Sequence, residues 1–442
     1  MTAAPPFPMR SAVFIWLGQV LSLLGSGLTS FALGVWTYKT TGDVTKYALV
    51  MLSATLPAIL IGPVAGALVD RWNRRWVMVL SDTAAGLTSL VLALLLFNGL
   101  LQPWHAYVTS AVVSTASAFQ QPAFAVLVST AVPPQHLGRA NGLVQVGLAT
   151  SQLLAPLLSA TLLEVIGLKG ILLIDATTLA LGTLPLMLAR IPREHLVSPS
   201  HEARPALLES VLAGGAYLRA SPGLLALIGF LAVSNFITGT VEVLVTPLVL
   251  SFADVRTLGA LTTAGGVGML VGSLVISAWG GPKRLVKGVL GFQVTCGLAL
   301  VCVGLATSVP VLASVAFAFF FGIPIINGSS QAILQRTVPL ALRGRVFAFT
   351  STITGAMLPL AYTVAGPLAD HVFEPAMASG GKLVPLMGAF LGEGPGRGIA
   401  LMFILAGALT LLVTLLSTAY RPLRELEARR EDVPSAEPAV SP

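Results

Sequence analysis

Long uncharged stretches of apolar residues recur along the chain and predict membrane-spanning helices. About 20 apolar residues are needed for one helical crossing of a bilayer. Stretches with room for one helix lie at 11–38, 47–69, 257–282, 346–369 and 398–420. The stretches 83–138 and 288–335 each have room for two helices, because turn-forming sequences interrupt them at 103–105 and 308–310. Further spans are expected near 140–165, 170–189 and 223–248, which brings the total to twelve.

Two short motifs repeat at the same distance along the chain, 206 positions. The motif V-P-x-x-x-x-G-R begins at Val132 and again at Val338, and G-x-L-V begins at Gly66 and again at Gly272. One shared offset for two separate motifs indicates an internal duplication. We therefore predict an all-α membrane protein whose twelve transmembrane helices form two pseudo-symmetric six-helix bundles. The predicted regions are an N-terminal bundle, a cytoplasmic linker, a C-terminal bundle and a disordered cytoplasmic tail, at 1–190, 191–221, 222–420 and 421–442.

The composition indicates a protein embedded in lipid, and the charges predict its orientation. Hydrophobic residues make up 55% of the 442 residues and charged residues only 10%, whereas a soluble domain carries about 25% charged residues. The net charge of +7 does not favour nucleic-acid binding, because the basic residues are spread over short loops. With the N-terminus inside, 19 of the 25 Lys and Arg fall on the cytoplasmic side, as the positive-inside rule requires. We expect a multi-pass protein of the bacterial inner membrane with both termini in the cytoplasm.

The most specific motif follows the second predicted span. Residues 66–75 read G-A-L-V-D-R-W-N-R-R. They resemble the signature G-x-L-x-D-R-x-G-R-R/K that joins helices 2 and 3 in the major facilitator superfamily, with Asn73 where that family usually has glycine. The second-half copy has Ile276 at the position that corresponds to Asp70. Further motifs resemble the branch that holds macrolide efflux proteins and enterobactin-type siderophore exporters; they lie at 80–82, 138–142, 173–176 and 343–347.

The residues of this signature predict a conformational latch at the inner face of the membrane. Gly66 would let another helix approach closely, and Asp70 can pair with arginines or face a helix N-terminus. Arg139 and Arg345, from the two V-P-x-x-x-x-G-R motifs, can reach Asp70 across the interface between the halves. The predicted latch consists of Gly66, Asp70, Arg71, Arg74, Arg75, Arg139 and Arg345. The alternative is an ordinary positive-inside loop whose arginines only anchor helix ends among the lipid headgroups.

Polar side chains recur every three or four residues in spans 1, 4, 7 and 10, so that each set shares one helix face. In the superfamily that the chain resembles, these four spans line the central cavity. The predicted substrate-cavity residues are Gln19, Ser22, Ser26, Gln121, Asn235, Thr238, Asn327 and Gln331. The alternative interpretation is hydrogen bonding between helices, which is common for Ser, Thr and Asn in membranes.

Acidic residues inside predicted spans are candidates for proton coupling, because burying a charge in the bilayer is costly. Glu242 is favoured, since it lies on the predicted cavity face of span 7, whereas Asp175 and Asp82 can also form structural pairs. The chain departs from drug–proton antiporters of the superfamily in two places. Span 4 has no charged residue, and the Gly-Pro-x-x-Gly-Gly signature of span 5 is reduced to the sequence A-P-L-L-S at 155–159.

The sequence does not favour an enzyme. The phosphate-binding motif G-x-x-x-x-G-K-S/T does not occur, and the five histidines have no metal-ligand or catalytic-triad spacing. Cys296 and Cys302 lie six positions apart within one predicted span and are expected to pack as small hydrophobic residues. We therefore expect no enzymatic activity, cofactor or metal.

The resemblance implies a secondary transporter that exports an amphipathic small molecule by alternating access, with proton coupling. The expected substrate is a drug, a macrolide-like compound or a siderophore-like natural product. A lysophospholipid or other lipid transporter, and a non-transport membrane partner of a biosynthetic complex, are the alternatives. The expected partners are the small-molecule substrate, protons and the lipid bilayer, without nucleic acid, and the protein is expected to be a monomer.

Overall fold

The computed structural model describes residues 9–69, 71–131, 137–188, 215, 217–306 and 308–428. The first half of the described chain forms six long helices at the predicted spans. These are α1 (Met9–Thr41), α2 (Val44–Val69), α3 (Arg74–Phe97), α4 (Pro103–Ala131), α5 (Leu137–Val165) and α6 (Gly167–Leu188). The break predicted at 103–105 lies slightly earlier, at 98–102, and α4 begins at Pro103, whose fixed φ suits the first residue of a helix.

The second half repeats this arrangement and adds short helices. The main ones are α7 (Pro222–Leu250), α8 (Val255–Trp279), α9 (Leu285–Leu305), α10 (Val309–Thr337), α11 (Leu340–Leu368), α12 (Arg397–Ala419) and α13 (Arg421–Ala428). A π-helical turn at Ala369–Phe373 and a helical turn at Glu374–Met377 extend α11, and a short helix at Val384–Leu391 follows. Twelve helices of the described chain are long and apolar enough to cross a membrane, and these residues include no strand. The predicted fold class is confirmed.

The helices belong to two compact units that do not coincide with the two halves of the sequence. The first unit combines Met1–Arg204 with Gly239–Gly266 and Pro359–Met402. The second combines Pro205–Thr238, Val267–Leu358 and Phe403–Pro442. The first unit therefore contains α1–α6 together with the parts of α7, α8, α11 and α12 that the charge pattern predicts to be outermost. The division of the chain at 190 and 222 stays a prediction.

Glycines allow close helix packing inside each unit. In the first unit, a Cβ on Gly18 of α1 would lie 3.1 Å from the Cα of Gly182 in α6. In the second unit, a Cβ on Gly272 of α8 would overlap the backbone carbonyl of Phe321 in α10. Small residues at such crossings let helices associate in lipid through backbone contact.

The close approach predicted at Gly66 is not seen. Among the described residues, no atom lies within 4 Å of the place where a Cβ on Gly66 would be. Its repeat partner Gly272 does pack closely against another helix. The two copies of the motif therefore have different neighbours, although their glycines occupy equivalent positions in the duplication.

The prediction of disorder from residue 421 onwards is wrong for the first eight residues of the tail. Residues Arg421–Ala428 form α13, which packs against α9. Leu423 is 1% exposed, and Leu426 packs on a hydrophobic cluster that includes Leu224 of α7. The spacing of these leucines gives the short helix an apolar face, which the charged composition of the tail concealed. The remainder of the tail lies beyond the described residues, as does most of the predicted linker.

Candidate functional site

Glu242 lies in the first unit where helices from both halves of the sequence meet. It belongs to α7, and its Oε2 accepts a short hydrogen bond from the hydroxyl of Tyr362 on α11. Tyr362 also hydrogen-bonds Thr55 of α2. The hydroxyl of Tyr47, also on α2, lies 3.1 Å from the hydroxyl of Thr246, one helical turn from Glu242. The Glu242 carboxyl group is thus bonded to α11 directly and to α2 only through Tyr362.

Asp82 has a different environment, since all of its partners come from the first half. Its two carboxylate oxygens accept hydrogen bonds from the amide of Gln19 at 3.1 Å and from the amide of Gln120 at 2.6 Å. Ser22 contacts the same carboxylate, and Gln120 donates to the side-chain oxygen of Gln19 at 2.8 Å. With 1% of its surface exposed, Asp82 is the centre of a closed network that joins α1, α3 and α4.

Asp175 likewise joins helices of the first half. It is 2% exposed on α6 and accepts hydrogen bonds from Ser26 of α1 at 3.3 Å and from Ser89 of α3 at 2.6 Å. A Cβ on Gly25 would lie 3.0 Å from the Asp175 carboxylate, so α1 passes close to this side chain. Of the three predicted coupling candidates, Glu242 is the one in the second half, and among the described contacts it bonds Tyr362 of that same half.

The predicted cavity residues of the first half fall into two groups. Gln19, Ser22 and Ser26 are bound to the buried carboxylates, as the interhelical alternative expects. Gln121 is exposed on α4, whereas its neighbour Gln120 makes the contacts to Asp82 and Gln19. The polar spacing on α4 predicts Gln121 and not its neighbour Gln120, because Gln121 lies on the same helix face as Ser110, Ser114 and Ser117.

Three of the predicted cavity residues line one small cavity in the second unit. Asn235 and Thr238 of α7 and Asn327 of α10 surround a space of about 70 Å³, together with Gln293 and Cys296 of α9. The amide nitrogen of Asn235 donates to the Leu231 carbonyl at 2.9 Å, and the Thr238 hydroxyl donates to the Ser234 carbonyl at 3.0 Å. Gln331 is exposed on α10. The lining combines amides and hydroxyls with apolar side chains such as Phe319 and Ile326, and it has no charged residue.

The structure describes only part of the predicted latch. Asp70 and the side chain of Arg139 lie outside the described residues. Arg74 is 1% exposed, while Arg71 and Arg345 are exposed. The guanidinium of Arg75 donates to the backbone carbonyl of Met187 and so ties the start of α3 to the end of α6. Pairing of Asp70 with Arg139 or Arg345 stays a prediction.

A second group of polar contacts lies at one end of the first unit, the end that the charge pattern predicts to face outwards. No sequence motif predicts these contacts. Asp370, in the extension of α11, accepts hydrogen bonds from the first residues of α2. Glu374 accepts from the backbone N–H groups of Gly396 and Ile399 at 3.0 and 2.9 Å and so caps α12. Arg256 of α8 pairs with Glu164 of α5 at 2.7 Å.

The described residues include no group of three or more His, Cys, Asp or Glu that could hold a metal ion. The described polar sites are therefore hydrogen-bonded carboxyl groups and neutral amides. Such groups can bind protons and can hydrogen-bond a polar part of a ligand.

The chain is similar to known membrane transporters over most of its length. The family model of the Major Facilitator Superfamily matches residues 15–362. Macrolide efflux protein A of Streptococcus pyogenes is 24% identical over 370 residues, which cover 81% of this chain and 89% of that protein. The multidrug efflux pump Tap of Mycolicibacterium fortuitum is 25% identical over 363 residues, covering 78% and 86%. The crystal structure of the nucleoside transporter NupG matches with a TM-score of 0.69 at 14% identity, covering 93% of this chain and 100% of that one, which shows likeness of fold alone.

Proposed function

The chain belongs to the major facilitator superfamily, and we propose that it exports amphipathic small molecules from the cytoplasm by alternating access. The observation that supports export most directly is similarity, over about four fifths of the chain, to proteins named for macrolide and multidrug efflux. Transporters built from two repeats move one repeat against the other around a site near the middle of the bilayer. The duplication at a 206-residue offset gives this chain the same construction.

The proposed substrate is bulky and neutral or weakly charged. The predicted cavity faces carry amides and hydroxyls, such as Gln121, Asn327 and Gln331, and these three side chains are exposed in the structure. A cavity of this kind can hydrogen-bond scattered polar groups of a large apolar ligand, but it has few fixed charges to pair with an ion. Macrolide-like compounds and secreted natural products have this mixture of apolar surface and polar groups.

We further propose that Glu242 couples export to inward proton movement. Its hydrogen-bond partner Tyr362 also contacts α2, so any motion that separates α2 from α7 and α11 changes the surroundings of the carboxyl group. A carboxyl group whose surroundings differ between two conformations binds a proton with different affinity in each. That difference is the coupling free energy between proton binding and the conformational change.

The test is transport of a labelled macrolide and a fluorescent dye in proteoliposomes with an imposed proton gradient. Wild-type protein is expected to move the substrate against its gradient. Glu242→Gln is expected to lower gradient-driven transport about tenfold or more, given coupling free energies of about 1–3 kcal/mol between linked sites. Glu393→Gln, which changes an exposed carboxyl group in the loop before α12, serves as the control and is expected to behave as wild type.

Three results of this transport assay would contradict parts of the proposal or favour an alternative function. Unchanged gradient-driven transport in Glu242→Gln would remove this residue as the proton carrier. Transport of lysophospholipid in place of the drug and dye would assign the protein to lipid movement. Absence of flux for every compound, from folded wild-type protein, would contradict export and favour a non-transport role.

A further inference from the structure

The extension of α11 places a carboxylate on the N-terminus of α2. Asp370 accepts hydrogen bonds from the backbone N–H of Val44 at 3.0 Å and from the N–H and hydroxyl of Thr45, both at 2.6 Å. The first N–H groups of a helix have no partner inside that helix. A cap normally comes from the residue just before the helix. At α2, Asp43 supplies that cap to the Lys46 N–H, and Asp370, which is 326 positions further along the chain than Val44, caps the two N–H groups before it.

The approach of α11 to α2 is close at this point. Gly366 lies one helical turn before Asp370, and a Cβ on Gly366 would be 2.8 Å from the Cα of Thr45. The absence of a side chain at Gly366 therefore lets the two helices come near enough for Asp370 to reach the end of α2. The contact lies inside the first unit and joins the two halves of the duplicated sequence.

Asp43, the residue before α2, brings a second carboxyl group to the same place. It accepts from the backbone N–H of Lys46 at 3.2 Å, and its other oxygen lies 3.3 Å from the Lys46 ammonium. Both carboxyl groups bind the first residues of α2, Asp370 at Val44 and Thr45 and Asp43 at Lys46, so they are neighbours that can share a hydrogen bond. Burial acts to raise the pKa of Asp43, but its hydrogen bonds with Asp370 and Lys46, and the charge of Lys46, together hold that pKa below its usual value.

A hydrogen bond between two carboxyl groups requires one proton, because two carboxylates are both acceptors. Two ionised carboxylates in such contact would also repel each other. The other titratable groups near the pair are Tyr38, Lys46, Tyr107, His371 and Glu374. Lys46 pairs with Asp43, His371 is exposed and bonded to its own helix, and Glu374 adds a further acid.

We propose that Asp43 and Asp370 form a second proton-binding site, which takes up one proton when α11 closes onto α2. When the contact is open, water solvates each carboxyl group separately and both ionise. When the contact closes, one proton enters from the adjoining water and is shared by the pair. The proton balance is therefore one bound per closure and one released per opening.

The stage at which this proton binds fits an export cycle, and only this step rests on the proposed function. The contact lies at the end of the helices that the charge pattern predicts to face outwards. An exporter must release its substrate outside and then close that end before it returns. The pair takes its proton from the outer water when this end closes and returns it there when the end opens, so it favours closure after substrate release at low outer pH and moves no proton across the membrane by itself.

The experiment measures the opening of this end by electron paramagnetic resonance distances, without substrate. Spin labels would be attached to cysteines placed at the exposed residues Gln102 and Lys382, in full-length protein lacking Cys296 and Cys302. A Glu242→Gln background removes the other proposed coupling residue. Between about pH 5 and pH 9, which lies above the ordinary aspartate pKa of about 3.9 and covers raised carboxyl values, the ratio of closed to open protein is expected to rise as the pH falls. Uptake of one proton predicts a change of about tenfold per pH unit within the titration range.

Variants of the pair give the decisive comparison. Asp370→Asn keeps an acceptor for the α2 N–H groups but needs no proton, so its closed population is expected to be independent of pH. Asp43→Asn is expected to lose the pH dependence as well. Asp370→Ala removes the cap and should shift the protein towards the open form at every pH. Glu164→Gln alters an exposed carboxyl group of the same end that is paired with Arg256, and it should keep the wild-type pH dependence.

Two results would overturn the proposal. One is a closed population that does not change with pH in the protein carrying both aspartates. The other is a pH dependence that survives in Asp370→Asn. Neither result depends on transport, so failure of export in proteoliposomes and failure of this proton site can be told apart.

Discussion

The hydrogen-bond partners of each buried carboxyl group determine which helices that group connects. Asp82 and Asp175 are surrounded by donors from the first-half helices alone, so they can stay in place while the halves move. Glu242 is bonded to Tyr362, which also bonds Thr55 of the first half, and Asp370 is bonded to the start of α2, so each is linked to the other half of the sequence. The sequence identified Glu242 as a carboxyl group inside a span. It could not identify its tyrosine partner, because hydrogen bonds over 120 positions leave no local pattern.

Gln120 and Gln121 offer a direct test at the residue scale. Gln120→Leu is expected to lower the free energy of unfolding by about 1–3 kcal/mol, because it removes a donor from the buried Asp82 carboxylate and from Gln19. Gln121→Leu changes an exposed side chain and is expected to alter stability by less than about 0.5 kcal/mol. Thermal unfolding in one detergent compares the two. Equal effects would show that the network around Asp82 does not depend on Gln120.

Helices were the easiest elements to predict, since twelve apolar stretches were each long enough to span a bilayer. The ends of the helices were harder to predict where a charged residue belongs to the helix. The apolar pattern ends α11 at residue 369, but the helix continues beyond it because Asp370 is hydrogen-bonded to α2 and Glu374 to α12. In the same way, α13 was predicted to be disordered from its charge. Composition along one segment does not reveal a partner supplied by another segment.

The duplicated glycine motif allows the same substitution to be made in two settings. Gly272→Ala is expected to destabilise the protein by about 1–3 kcal/mol, because the added Cβ overlaps the Phe321 carbonyl and α8 must move away from α10. Gly66→Ala meets no described atom and should be neutral or stabilising by up to about 1 kcal/mol, since alanine favours helix over glycine. Melting temperatures of the two variants in the same detergent are the measurement. An equal rise in both would contradict the close contact at Gly272.

At the scale of the whole molecule, the sequence predicted a duplicated membrane protein, and the family match agrees with it. The repeat did not predict how the described helices are grouped. The first unit includes the predicted outer parts of α7, α8, α11 and α12 together with α1–α6, so contacts between the halves are concentrated at one end of these helices. A repeat in the sequence shows that the two halves share an origin. Which helices pack into one unit depends on the conformation that the protein adopts.

The direction of both proposed proton steps depends on which end of the helices faces outwards, and this can be measured in cells. Single cysteines would replace the exposed residues Lys283, between α8 and α9, and Lys382, between α11 and α12, in protein lacking Cys296 and Cys302. The excess of Lys and Arg predicts Lys283 in the cytoplasm and Lys382 outside. A membrane-impermeant maleimide should therefore label the Lys382→Cys variant in intact cells, and the Lys283→Cys variant only after permeabilisation. The opposite labelling would place Asp43 and Asp370 on the cytoplasmic side, so that closure of their contact would respond to the pH of the cytoplasm and not to that outside the cell.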